Sequence, residues 1–208
     1  GPHTVRSAQH PWGFPDALQA GREKARKGNE FIHFAIRAME AAVFAQQRNN
    51  VTIRVLLEHP EDLGTTPKGT PASIWQLPEI REFVWKHSFI TAAGHQCQFE
   101  VDWAKPTRLL SNIPGTERFG RQGWPTMHKN GKYAGPLPHC GHSHRAETIG
   151  QDAQGNFHTS PKAAYPPLMC AFLAKLIFDD FVGRQRRPEG GNTPVAAGGN
   201  LGSDQGSS

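Results

Sequence analysis

Val51-Thr52-Ile53-Arg54-Val55-Leu56-Leu57-Glu58-His59-Pro60-Glu61 is the stretch that decides the fold class of this 208-residue chain. Its first seven residues are rich in β-branched side chains and nearly all apolar toward the end, as a strand buried inside a sheet requires. On the N-terminal side, Phe31, Phe34, Ala35, Ala38, Met39, Ala42 and Ala45 recur at three- and four-residue spacing, so one stripe of a helix should face a core. That helix is expected from Asn29, a competent N-cap, to Arg48-Asn49-Asn50. A separate helix is expected to open near Pro15-Asp16 and to stop at Gly28. Helix followed within a few residues by strand is an α/β signature, and the expected fold is α/β with a partial doubly wound sheet.

Downstream, residues 60–72 read as a loop, and Ala72 to Trp85 as one or two short helices broken by Pro78. Two further strands are expected at His95 to Val101 and Thr107 to Asn112, paired as a hairpin around Trp103-Ala104-Lys105-Pro106. Residues 113–160 are poor in aliphatic side chains and rich in Gly, Pro and His, so turns, aromatic packing or a metal must set their conformation. A closing helix should start at Pro166-Pro167, because Leu168, Met169, Phe172, Leu173, Leu176, Ile177 and Phe181 follow at helical spacing. Residues 1–182 therefore form a single α/β domain with an irregular insertion. Only Val195 and Leu201 are sizeable apolar side chains in residues 183–208, so these are expected to be a disordered tail.

Composition narrows the function. With 37% hydrophobic and 20% charged residues, 22 Gly and 17 Pro, the chain is neither a coiled coil nor wholly disordered. No apolar run reaches the ~20 residues that span a bilayer, and no membrane partner is expected. A net charge of +5 favours a polyanion such as DNA. Cys97, Cys140 and Cys170 are not spaced as a secreted disulfide framework, so they read as reduced thiols or metal ligands. An intracellular address is expected, the nucleus if DNA is the partner.

Three groups of residues can carry chemistry. Glu58 sits at the carboxyl end of the best strand, where open α/β sheets place ligand sites, and a carboxylate there can handle a proton or hold a base. Lys105, Thr107 and Arg108 surround a rigid turn and form a candidate phosphate-binding corner, with Arg118 and Arg121 adding charge in the same half. His139-Cys140-Gly141-His142-Ser143-His144 offers the thiolate and imidazole donors that zinc prefers, and alternation can send Cys140, His142 and His144 to one side. Cys97, His95 or His128 would have to complete the site across the fold. The other reading is three unrelated polar residues on a surface loop.

In chain order, Leu57-Glu58-His59-Pro60-Glu61, Pro71-Ala72-Ser73-Ile74-Trp75, Gln96-Cys97-Gln98-Phe99, Lys105-Pro106-Thr107-Arg108-Leu109-Leu110-Ser111-Asn112, Cys140 with His142 and His144, and Ala164-Tyr165-Pro166-Pro167 form a series. It resembles the later part of divergent DNA cytosine-5 methyltransferase-like proteins of mobile elements and large protist genomes. The resemblance implies that Glu58 holds a flipped-out cytosine, that Arg108 supports the catalytic loop and the DNA, and that S-adenosylmethionine is the methyl donor. The family's Asn after the glutamate is His59 here. Its Phe-x-Gly-x-Gly cofactor loop and Pro-Cys-Gln nucleophile loop are missing from the chain, and truncation N-terminal to Glu58 accounts for both.

Three functions follow as expectations. The first is a methyltransferase-like fragment that binds DNA but cannot methylate alone. The second is a zinc-supported nucleic-acid or protein interaction module. The third is a metal-dependent nuclease using Glu58, His142 and His144.

Overall fold

The computed structural model of the chain describes residues 5–67, 69–144 and 164–186. Helix α1 spans Gln19–Asn49 without a break. Gly28 lies inside it, because the guanidinium of Arg6 packs over the missing side chain and Arg6 Nη2 donates to the Ala25 carbonyl at 2.5 Å. Asn29, expected as a cap, instead donates to the Trp12 carbonyl at 2.8 Å, and Trp12 stacks on His33. These contacts strap the N-terminal segment along the helix, so tertiary contact overrides the roughly 1 kcal/mol that a mid-helix glycine costs. Asn50 ends the helix in the left-handed region.

The buried stripe is Ala25, Ile36 and Met39, with Ile32 and Val43 partly buried beside it. Phe31 and Phe34, expected to face the core, are 77% and 66% exposed. Two apolar stripes with the same spacing run along this helix, and spacing alone does not say which one turns inward.

Strand β1 is Leu56–Pro60, β2 is Ile90–His95, β3 is Pro106–Ser111 and β4 is Arg121–Gln122, in the spatial order β1-β3-β2-β4. Helix α2, Pro78–His87, starts with Pro78 in its first turn and lies between β1 and β2 in the chain. Every pair in this sheet is antiparallel, with His59 opposite Arg108 and Ala93 opposite the same arginine on the other side. The combination of helices and sheet stands, but the class is α+β, and no doubly wound parallel sheet is present among the described residues.

The expected strand at Val51 to Leu57 begins only at Leu56, because its ladder partner β3 ends at Ser111. Residues before it are held by side chains: Asn112 Oδ1 accepts from the Val55 amide at 2.8 Å, and Asn112 Nδ2 donates to the Ile53 carbonyl at 2.9 Å. The strand expected at His95 to Val101 is displaced to Ile90–His95. Gln96–Phe99 is a single 3₁₀ turn, closed by the Glu100 amide donating to the Cys97 carbonyl at 3.2 Å, while the Gln96 amide bonds the Lys105 carbonyl across the hairpin at 3.1 Å. β3 pairs instead with Ile90–His95, so of the segment expected to form the hairpin only His95 is in the ladder, opposite Pro106.

Leu109 and Leu110 point to opposite faces, as successive strand residues must. Leu110 joins Ile36, Met39, Trp75, Ile80 and Phe83 under α1 and α2. Leu109 joins Ala92, Phe119 and Met169 under helix α3, Pro167–Gln185. The sheet is thus covered on both faces, which is why β3 is buried without alternation, its polar Thr107, Arg108 and Ser111 included.

The insertion adds β4 to the main sheet and a small hairpin, β5 at Thr126–Met127 and β6 at Tyr133–Gly135. Trp124 packs toward Trp75 with ring centroids 6.5 Å apart. Residues 145–160 of the insertion lie outside the described residues. The expected tail boundary at 183 is too early, since α3 continues to Gln185; residues 187–208 lie outside the described part.

Candidate metal centre

The hairpin of β2 and β3 carries the first ligand. Gln96 is fully buried, its Nε2 donating to Thr107 Oγ1 at 3.2 Å and its Oε1 accepting from Trp103 Nε1 at 3.3 Å. This anchor turns the chain away from the ladder and places Cys97 on the 3₁₀ turn, correcting the expectation that it lies on a strand. Burial is the main cause that raises the Cys97 thiol pKa, and the nearby Cys140 thiol adds to it.

The other ligands arrive on the segment after β6. His95 Nε2 bonds the Pro138 carbonyl at 2.8 Å and holds this segment against the end of β2. Gly141 then adopts φ +81°, a left-handed conformation that reverses the chain immediately after Cys140. The result brings Cys140 Sγ to 3.0 Å from His144 Nε2, with the His142 and His144 rings 4.5 Å apart.

One donor atom from each of Cys97, Cys140, His142 and His144 lies within 4.8 Å of all the others. A tetrahedral zinc with Zn–S of ~2.3 Å and Zn–N of ~2.0–2.1 Å needs donor separations of roughly 3.3–3.8 Å. The widest separations must close by about an ångström, and the 3.0 Å between Cys140 Sγ and His144 Nε2 must open slightly. His142 Nδ1 lies 3.0 Å from the Cys140 carbonyl, so a proton on Nδ1 leaves Nε2 free, the outer-sphere arrangement usual for a ligating histidine. Two thiols and two imidazoles suit a closed, structural zinc site. Of the residues considered for the fourth position, Cys97 is the one whose donor atom joins the other three; His95 is used on Pro138, and its Nδ1 is buried without a partner.

Glu58 is not among the four. Its Oε2 accepts a hydrogen bond from Tyr165 at 2.8 Å, while its Oε1 is buried without a partner. Burial first, and then the Glu58 carboxylate, push the Tyr165 phenol up to about 12. Lys105 Nζ stands 6.0 Å above the same ring.

The phosphate-binding corner is not assembled as expected. Thr107 and Arg108 are both fully buried, so neither can reach a DNA phosphate. Thr107 Oγ1 donates back to the Lys105 carbonyl at 3.1 Å. Arg108 forms a bidentate pair with Glu61, Nε to Oε2 at 2.6 Å and Nη2 to Oε1 at 2.7 Å. Its Nη1 donates to Thr91 Oγ1 and to the Gly123 carbonyl, and Trp75 lies under the guanidinium. Tyr133 completes the network by donating to Glu61 Oε1 at 2.7 Å, and burial raises its phenol pKa strongly. Arg118 and Arg121 remain exposed.

Sequence reasoning does not find Glu61, Thr91, Trp75 and Tyr133 as partners of Arg108. An arginine in the apolar run Pro106-Thr107-Arg108-Leu109-Leu110 is the signal that could have found them, because a buried guanidinium demands a carboxylate. No family model, curated protein or solved structure matches the chain.

Proposed function

We propose that the chain is a zinc-stabilised interaction module whose partner is nucleic acid. The convergence of Cys97, Cys140, His142 and His144 carries this reading. Zinc supplies cross-linking here and no reaction: it ties the tip of the β2–β3 hairpin to the end of the insertion, a region with little aliphatic core. The net charge of +5 and the exposed Arg118 and Arg121 favour DNA as the polyanion. The test is metal content after purification without chelator, followed by Co²⁺ substitution. One metal per chain, with a tetrahedral Co²⁺–thiolate spectrum lost in Cys97→Ser and Cys140→Ser, is expected; absence of metal in the folded protein refutes it. DNA binding measured at two salt concentrations should weaken steeply with salt, and affinity independent of salt contradicts a phosphate-driven mode.

A methyltransferase-like origin is the second reading, and the unpartnered Glu58 Oε1 is the observation that favours it. β1 and β2 both run antiparallel to β3, hence parallel to each other, with α2 between them in sequence and helices on both faces. β3 lies between them, so the antiparallel strand is central, where a doubly wound sheet would carry it at an edge. In this reading Glu58 Oε1 would be the group that meets a base. S-adenosylmethionine enters only through this reading, and calorimetry against the purified chain tests it. A nuclease built on Glu58, His142 and His144 has less in its favour, since Glu58 bonds Tyr165 and stands outside the four-residue cluster.

A further inference from the structure

The two thiols of the metal centre are close enough to have a second fate. We propose that Cys97 and Cys140 form a thiol modification site: a peroxide converts them to a disulfide and expels the metal, so the cross-link between hairpin and insertion changes from zinc to sulfur. This rests on the reading of the cluster as a zinc centre.

Three observations carry it. Both cysteines are half-buried, not sealed in a core, and their sulfurs lie within 4.8 Å of each other. A disulfide needs ~2.05 Å, so the sulfurs must approach by less than 3 Å. The Cys140 side can supply that movement: it lies on a segment without helix or strand, and Gly141 beside it has open space where a side chain would lie. Cys170, the remaining cysteine, is exposed on helix α3 outside the cluster, and leaves the pair to react with each other.

The chemistry balances with peroxide as oxidant. One metal-bound thiolate attacks a peroxide oxygen, the O–O bond breaks, and a sulfenic acid and one hydroxide form. The second thiolate attacks the sulfenic sulfur, forming the S–S bond and releasing a second hydroxide. Two electrons pass from sulfur to oxygen. Both hydroxides are neutralised to water by two protons from the buffer, and Zn²⁺, left with two imidazoles, dissociates.

The experiment uses the full chain with Cys170→Ser, loaded with one equivalent of zinc. Zinc in solution is followed with a colorimetric chelator while hydrogen peroxide is added, and the product is digested for disulfide mapping. Zinc released in step with a Cys97–Cys140 cross-linked peptide, and rebound after a dithiol reductant, is the expected result. Zinc that binds but is retained under peroxide, or is released with sulfinic acid and no cross-link, overturns this inference while leaving the zinc module intact. Failure to bind zinc at the outset overturns the module itself. Cys140→Ser, which keeps three donors, should release its weaker metal without any cross-link; a cross-linked species there would overturn the assignment.

Discussion

At the scale of single residues, Arg108 is held most completely. It is fully buried, and its paired partner Glu61 has no exposed side-chain surface either. Removing one member of such a pair leaves an uncompensated charge, so Arg108→Met should destabilise the fold by about 3–5 kcal/mol in urea unfolding. Replacing both, in Glu61→Met with Arg108→Met, should cost less than the single change. A double variant as unstable as the sum of the singles would show that the two do not act as a pair. His59 makes a separate, pH-dependent contribution. Burial lowers its pKa, outweighing the Pro60 carbonyl and Glu58, which act in the opposite direction. The unfolded chain therefore takes up this proton first as pH falls below about 6.5, and unfolding becomes easier through that window until the folded value is passed. Urea midpoints at pH 7.5 and 5.5 should differ less in His59→Asn than in the parent chain; an equal difference would assign the effect to other histidines.

The elements differ in how far each can be read from its own residues. Pro78 at a helix start, Asn50 as a helix stop, β3 and the closing helix all follow from local chemistry: fixed φ, tolerance of the left-handed region, and apolar spacing. The strand directions do not. An uninterrupted apolar run such as Leu109-Leu110 records burial on both faces, and here an antiparallel sheet has both faces covered, so the run signals two layers of helix and says nothing of strand direction. For the site, local spacing groups Cys140, His142 and His144, and Cys97 is among the candidates that could join them. The Glu61–Arg108 pairing, 47 residues apart, leaves no local trace. A second long-range tie joins elements: Arg54, just before β1, makes a two-pronged contact with Asp180 on α3, whose carboxylate is held below its ordinary pKa chiefly by that hydrogen bond. Asp180→Asn should cost about 1–3 kcal/mol and should speed amide exchange in residues 51–55. Unchanged exchange there would mean that the Gln46, Ser111 and Asn112 side chains hold the segment without Asp180.

For the whole molecule, the proposed zinc would link the stability of the sheet to that of the insertion. Zinc at a hundredfold excess over its Kd should stabilise the chain by about 2.7 kcal/mol, and chelation should lower Tm correspondingly. Chelation that leaves Tm unchanged would mean that the aromatic contacts of Trp124 and the Tyr133 hydroxyl suffice. The order of the strands has a consequence for how the molecule is made. β3 is the central strand of the first three, yet it is the last of them in the chain, starting at Pro106 while β1 ends at Pro60. On the ribosome, where chains grow at ~5–20 residues per second, β1 and β2 emerge with no ladder between them and wait seconds for their common partner. The sheet cannot assemble strand by strand from its N-terminus: β1 gains a ladder only once β3 has been made, and β4 joins the far side of β2 after that.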